Sequence, residues 1–334
     1  MICKNIYHQE KILFLKLRAV YDYLIQFYIF LRKKAVLKKL ITNVGSINVD
    51  HVYRVPYFVK PGETLQTVSY QRVLGGKGAN QSIALSRAGE AVQHVGTIGE
   101  DHKWILSEMA NSNVGIEGIS ILKVPTGHAL IQVDDNAENC ILLYPGANEA
   151  LGLSDLKKSF DGIKPDSWVL FQNEMPNLKE MITLAKSQGA KVAVNPAPFD
   201  SKAKDLPYDI IDLLIVNDIE AAELAEARLE GDQSKLSSLC PLVIVTQGTK
   251  GAICFHQGET IEVPAFKVKA VDTTGAGDTF VGYMLSSIAN GMDLGSAMKR
   301  ASAASALAVT KSGASIAIPT SQEVETFLNK QSGV

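Results

Sequence analysis

From Leu40 onward the chain alternates between short apolar runs and stretches with apolar residues three and four apart. The runs at 168–172, 192–195, 213–216 and 243–246 are rich in Val, Ile and Leu. Without polar alternation, they read as strands of a parallel sheet buried on both faces. Residues 41–49 read as the first core strand with its C-terminal loop, and 92–97 as the second. Helical spacing occupies 80–88, 104–112, 177–187 and 219–227, and Gly89 closes the first of these as a C′ residue. Repeated strand–helix units predict an α/β fold with a doubly wound, mostly parallel sheet. Ligands are then expected beyond the C-terminal strand ends.

Two stretches break this rhythm. Residues 52–74, and 119–131 with 139–144, alternate like half-exposed antiparallel strands, with turns at Pro61-Gly62 and 134–138. They predict a small antiparallel sheet, with strands drawn from about 51–74 and 119–144. An exposed sheet needs cover for its second face, so dimerisation through it is expected.

Residues 1–40 stand apart as an N-terminal extension, read as helical. Residues 11–31 are rich in Leu, Ile and aromatics, but Lys16, Arg18, Asp22 and Gln26 interrupt them. The cleanest apolar stretch is far shorter than the roughly 20 residues a membrane span needs. No small-residue cleavage site follows, which argues against a signal peptide. A helix appended to an enzyme and an unnatural upstream reading frame both remain open. The main globular body is residues 41–330.

Composition adds bounds rather than a function. At 334 residues, 46% hydrophobic and 20% charged, the chain can bury an ample core. Its net charge of -2 gives no reason to expect nucleic acid. That average hides nine Lys/Arg against two acids in residues 1–40, and 24 against 33 in the rest. Cys3, Cys140, Cys240 and Cys254 have no metal-ligand spacing and read as reduced cytosolic thiols. A cytoplasmic location is expected.

The densest chemistry lies in Val271-Asp272-Thr273-Thr274-Gly275-Ala276-Gly277-Asp278-Thr279-Phe280. This polar, glycine-bearing run enters a segment of helical spacing. The unpaired N–H groups and positive dipole end of such a helix start make an anion site. Gly275 and Gly277 let phosphate oxygens approach the main chain. Asp278 would repel an anion, so it is either a general base for an attacking hydroxyl or an acidic helix cap.

Other positions also carry two readings. Asn48 and Asp50, two apart, share one side of an extended segment. They suit either adjacent sugar hydroxyls or an Asn/Asp turn. Gly75-Gly76-Lys77-Gly78-Ala79-Asn80-Gln81 is a glycine-rich turn before a helix, but it is not a Walker-type phosphate loop. No Gly-x-Gly-x-x-Gly follows the first strand, which removes a dinucleotide-dependent oxidoreductase.

Asp-Thr-Thr-Gly-Ala-Gly-Asp-Thr-Phe resembles the C-terminal signature of the ribokinase family of sugar kinases, the phosphofructokinase-B type. The Gly75–Gln81 stretch resembles its N-terminal signature, and similarity runs from about residue 40 to about 328. The resemblance implies ATP-dependent phosphorylation of D-ribose to ribose 5-phosphate, with Asp278 as base and Gly275, Ala276 and Gly277 as anion hole. It implies sugar contacts by Asn48, Asp50, Gly76, Lys77, Asn80 and Glu174, under apolar lid positions Ala129 and Ile131. Helix capping by Asn80 and an exposed loop position for Glu174 are the alternatives.

Asn217 and Glu220 match a motif that organises Mg²⁺ near the phosphates, largely through water; a plain helix start is the alternative. Thr246, Gly248 and Gly251 match a nucleotide loop. Ser302 stands where the family usually has His or Asn beside the nucleotide. Asp272, Thr274, Ala308, Lys311, Gly313 and Ala317 fall where the family binds a monovalent cation, implying activation by K⁺. A homodimer is implied as well. Another sugar or nucleoside kinase, or a non-catalytic sugar-responsive binding protein, are the alternatives.

Overall fold

The computed structural model describes residues 40–136, 138–150 and 152–331. The expected N-terminal extension, apart from Leu40, lies outside the described residues.

The chain runs through β1 (Ile41–Val44), β2 (Asn48–Arg54), β3 (Ser69–Gly75), α1 (Lys77–Ala88), β4 (Val92–Gly99), α2 (Trp104–Asn111) and β5 (Val114–Leu122). Next come β6 (Gly127–Val133), β7 (Asn139–Tyr144), α3 (Leu153–Phe160), β8 (Trp168–Gln172), α4 (Leu178–Ser187), β9 (Lys191–Asn195) and α5 (Ser201–Lys204). It ends with β10 (Leu213–Asn217), α6 (Asp218–Arg228), β11 (Leu242–Thr246), β12 (Gly251–His256), β13 (Glu259–Pro264), α7 (Ala276–Ala289), α8 (Leu294–Ala308) and α9 (Ser321–Gln331).

A nine-stranded sheet has the order β13-β12-β11-β10-β9-β8-β1-β4-β5. It is parallel from β11 to β5, and β12 and β13 are antiparallel. The apolar runs are buried on both sides, as their lack of alternation predicts. Leu170 of β8 packs with Ile83 of α1 and with Phe280 and Met284 of α7. Val169 and Phe171 face the opposite core, with Met181 of α4 and Leu224 of α6. Strand order reverses around β1, between β4 and β8, and a doubly wound sheet opens its ligand crevice at such a point.

The second sheet, β3-β2-β6-β7, is the lid. Its two outer pairings are antiparallel, and β2 runs parallel to β6 at its centre. Two assignments change. Residues 119–122 end β5 and pair with β4 in the large sheet, so the lid's second half starts at Gly127. The first strand stops at Val44, and Asn48 opens β2 of the lid. The turn passes close to α1, where only glycine fits: a Cβ on Gly45 would lie 2.7 Å from the Gly78 Cα. The β12–β13 hairpin was unread in the sequence. It turns at Gln257-Gly258, both with positive φ, as two-residue hairpin loops prefer.

His51, Tyr53, Tyr70, His128 and Tyr144 form a chain of ring contacts across the lid. Among the described residues no helix is long and apolar enough to cross a membrane.

Candidate active site

Helices α1 and α7 touch backbone to backbone. A Cβ on Gly282 would fall 2.4 Å from that of Ala84. One turn nearer each N-terminus, this contact brings Asn80 against Asp278. Asn80 Nδ2 donates to Asp278 Oδ2 at 3.0 Å, and Gln81 Nε2 donates to Oδ1 at 2.9 Å. Asp278 is 8% exposed. Burial pushes its carboxyl up; Lys77 and the two amide donors oppose that without reversing it. The cap of α7 is Gly275, at φ 74, and Asp278 sits in the first turn. Capping therefore does not account for Asp278: its carboxylate is held by α1, 198 residues away in sequence.

The start of α7 is open. Ala276 N–H reaches Thr273 O at 3.3 Å, and no protein acceptor among the described residues takes the Gly277 N–H. A Cβ on Gly277 would meet nothing within 4 Å. Unpaired first-turn donors facing open space are what an anion needs. Gly275, Ala276, Gly277 and Asp278 lie together at the start of α7.

The sugar-side candidates gather on the other side of Asp278. Asn48 and Asp50 are both buried on β2, and Ala129 lies opposite Asp50 in the register. Asp50 needs Gly75 beside it, because a Cβ there would lie 2.1 Å from its carboxylate oxygen. Burial, with Glu174 and Asp278 nearby, raises the Asp50 carboxyl to about 7. Glu174 follows β8, accepts from Lys77 N at 3.2 Å, and takes a short hydrogen bond from Ser46 Oγ. It is half-buried rather than an exposed loop residue, and burial raises its carboxyl as well. Gly76 caps α1 at φ 91, and Lys77 follows it. Burial alone would lower the Lys77 ammonium, but Asp278, Glu174 and Glu220 together hold it above its usual value. The Asn80 side chain makes no capping bond; Gly76 is the cap. A cleft of about 600 Å³ runs from Asp50 past Ile131 to residues 270–274 and 312–316.

The nucleotide and metal candidates are less uniform. Asn217 and Glu220 form a reciprocal capping box on α6, at 2.8 and 2.9 Å. The helix-start reading of these two is therefore realised, while Glu220 stays in electrostatic reach of Lys77 and Asp278. Thr246 ends β11, and Gly248 follows at φ 54 with open space where a Cβ would be. Gly251 has a fold reason of its own: it opens β12 against Val263 O, 2.0 Å from where a Cβ would sit. Ser302 is buried in α8.

Asp272 Oδ1 accepts from Thr274 N, and its Oδ2 from Gly313 N, both at 2.9 Å. Burial works to raise the Asp272 carboxyl, but these bonds outweigh it and hold it low. A charged carboxylate satisfied by peptide N–H groups, beside a turn of carbonyls, suits a monovalent cation. Ala308 O accepts from Lys311 N at 3.1 Å, and Lys311 Nζ pairs with Glu323 at 3.0 Å. Ala317 is buried, and its N–H closes a turn onto Ala314 O. Among the described residues no cluster of three or more His, Cys, Asp or Glu is arranged to hold a metal ion.

Three residues of the site escaped the sequence reading. Gln81 was quoted only as part of a motif. Asn148 bonds both main-chain groups of Ile47 and donates to Asn48 Oδ1 at 2.7 Å. Ser46 holds Glu174. Each acts on a partner about a hundred residues or more away, a distance no local spacing reveals.

The family profile for pfkB family carbohydrate kinases matches residues 38–321. A ribokinase of Haemophilus influenzae is 37% identical over 304 residues, covering 87% of this chain and 99% of that protein. A crystal structure of a Thermotoga maritima ribokinase superposes with a TM-score of 0.77 at 32% identity, covering 87% of this chain and 99% of that one. An Arabidopsis thaliana ribokinase complexed with ribose and ATP gives 0.76 at 28%, with the same coverage.

Proposed function

Because this chain belongs to the pfkB family of carbohydrate kinases, we propose that it transfers the γ-phosphoryl group of ATP to the 5-hydroxyl of D-ribose. The observation that carries the reading is the meeting of α1 and α7: a buried, doubly hydrogen-bonded Asp278 beside an open helix N-terminus. Asn48, Asp50, Lys77, Asn80 and Glu174 hold the sugar with its 5-hydroxyl toward Asp278. Asp278 takes the hydroxyl proton as the oxygen attacks the γ-phosphorus. The N–H groups of Gly275, Ala276 and Gly277 stabilise the charge on the transferred group, and ADP leaves. Positioning and electrostatics carry most of the acceleration in such transfers.

Mg²⁺ bound with the nucleotide would supply charge neutralisation, with Glu220 reaching it through water. The nucleotide loop is assigned to Asn217, Thr246 and Gly248, with Ser302 at the base. Asp272 and Thr274, with main-chain oxygens near Gly313, are assigned to K⁺, which would order the 272–277 loop. The aromatic face of the lid is assigned to a second copy of the chain. Buried thiols at Cys240 and Cys254 fit a cytoplasmic enzyme.

An ADP-release assay with ATP and Mg²⁺ across ribose, deoxyribose, hexoses and nucleosides tests the substrate. Ribose should be preferred; turnover of none of them would overturn the kinase reading. Nucleosides belong in the panel because the cleft continues past Asp50 along Val52, Val73 and Ile131. Replacing K⁺ by a large organic cation at constant ionic strength should slow turnover severalfold, and an unchanged rate would remove the cation site.

A further inference from the structure

Gln81 is fully buried, and its amide is held at both ends. Its Oε1 accepts from Gln172 Nε2 at 2.7 Å. Its Nε2 donates to Asp278 Oδ1 at 2.9 Å and to Asn195 Oδ1 at 3.0 Å. The neighbours are held in turn. Gln172 Nε2 also donates to Asn43 Oδ1, at 2.9 Å, and Asn195 Nδ2 donates to Ile215 O at 2.9 Å. Asn43 Nδ2 donates to Gly78 O and Ser82 Oγ, both at 2.8 Å, and Ser82 Oγ meets His94 Nδ1. A buried run of amides from β1, β8, β9 and α1 therefore ends on one carboxylate oxygen. Reversing the Gln81 amide would set its oxygen against those of Asp278 and Asn195, and its nitrogen against Gln172 Nε2. The donor end is the only one that fits.

We infer that Gln81 is a positioning residue for the phosphoryl-transfer reaction: its locked amide fixes the Asp278 carboxylate and keeps it ionised, without itself touching either substrate. This rests on Asp278 being the general base. Asn80 differs in being assigned to the sugar as well as to Asp278 Oδ2. The charged groups facing Asp278 are Lys77 of α1, Asp50 of β2, Glu174 after β8 and Glu220 of α6. All stay in place when Gln81 alone is changed. His94, at the far end of the run, is neutral at pH 7, since burial lowers it to about 4.

The test is the pH profile of kcat/KM for the full chain with ribose and ATP, for Gln81→Met and Gln81→Glu. The methionine removes the donor. The glutamate keeps length and volume, still accepts from Gln172, and puts a second carboxyl against Asp278. Loss of a hydrogen bond to a buried charge should move the acid limb up by roughly one to two pH units. Activity lost at pH 7 should return at higher pH, with ribose KM changed less than about threefold, within the usual scatter for a group that makes no ground-state contact.

A role in folding alone would lower the melting temperature and reduce kcat equally at every pH. An acid limb unmoved in both variants overturns the inference. Should neither variant fold, the wild-type protein still decides: the Gln81 side-chain amide resonance must shift with the midpoint of the acid limb. A resonance flat through that range overturns it too. Asp278→Asn, run in parallel, separates the two claims. If that variant stays active, the base reading fails; if it is inactive and the limb does not move, only the role of Gln81 fails.

Discussion

Helices α1 and α7 begin in the same way and end up with opposite tasks. Each starts at a glycine with positive φ, Gly76 at 91° and Gly275 at 74°, and neither has a side-chain cap. At α1 the protein itself closes the donors. Lys77 N–H goes to Glu174, Gly78 N–H to Ser46 Oγ at 3.4 Å, and Ala79 N–H to Ser46 O at 2.9 Å. At α7 the Gly277 N–H faces open space. A glycine-rich helix start is thus an anion site only where the fold withholds its own acceptors. The closed start carries a cation, Lys77, among carboxylates. The open start carries the carboxylate that α1 holds in place.

Closing the open start should have a large effect. Gly277→Val adds a side chain where the structure has space, at a helical position that tolerates it, so the variant should fold. Loss of the anion hole should cost on the order of 10²-fold in kcat. Full activity in a folded variant would mean that no anion binds there.

The closed side concentrates negative charge, and this sets a pH-dependent stability cost. Burial raises the Asp50 carboxyl from its ordinary 3.8 to about 7 in the fold, so the folded state binds the extra proton. Stability from this group is therefore full below about pH 4 and is lost as pH rises through 7. Asp50→Asn removes the titration, and at pH 8 it should be more stable by at most about 4 kcal/mol, or several degrees in melting temperature. The gap should vanish near pH 4. A constant gap across that range would show that Asp50 is not held protonated by its surroundings. Ser46→Ala partly reopens the start of α1 and loosens Glu174, so ribose KM should rise roughly fivefold, about the worth of one hydrogen bond. Titration calorimetry showing unchanged ribose affinity would argue that Glu174 is not a sugar contact.

The sequence revealed the two helix starts because their chemistry is local: glycines, a lysine and an aspartate within a few positions. It also revealed the core strands, whose burial on both faces leaves unbroken apolar runs such as 168–172. It did not reveal which start is open, because the acceptors closing α1 come from Ser46 and Glu174, 32 and 97 residues from their partners. Asn217 and Glu220 show the reverse ambiguity. A capping box and a phosphate-site motif share the same residues at the same spacing, and the structure fills the first role directly. The β5 edge reads as lid in the sequence because an edge strand with one more exposed side resembles a lid strand.

The smallest expected effect concerns residues 1–40, since every assigned sugar and nucleotide position follows them. We propose that they are dispensable for catalysis, and deleting residues 1–35 should leave kcat/KM within about twofold, the scatter of changes remote from a site. A folded truncation with greatly reduced activity would assign them to the site or to assembly.

The central claim is that α1 presents Asp278 as a base beside the open start of α7. It is tested most directly by kcat of Asp278→Asn at saturating ribose and ATP. Asparagine keeps the size and the turn but cannot take the proton, so kcat should fall about 10²–10⁴-fold, roughly 3–5 kcal/mol of barrier. Ribose affinity should change far less, because Asn48, Asp50 and Lys77 still hold the ring. A kcat within about threefold of the parent, a difference of less than 1 kcal/mol, would contradict the assignment and the mechanism built on it.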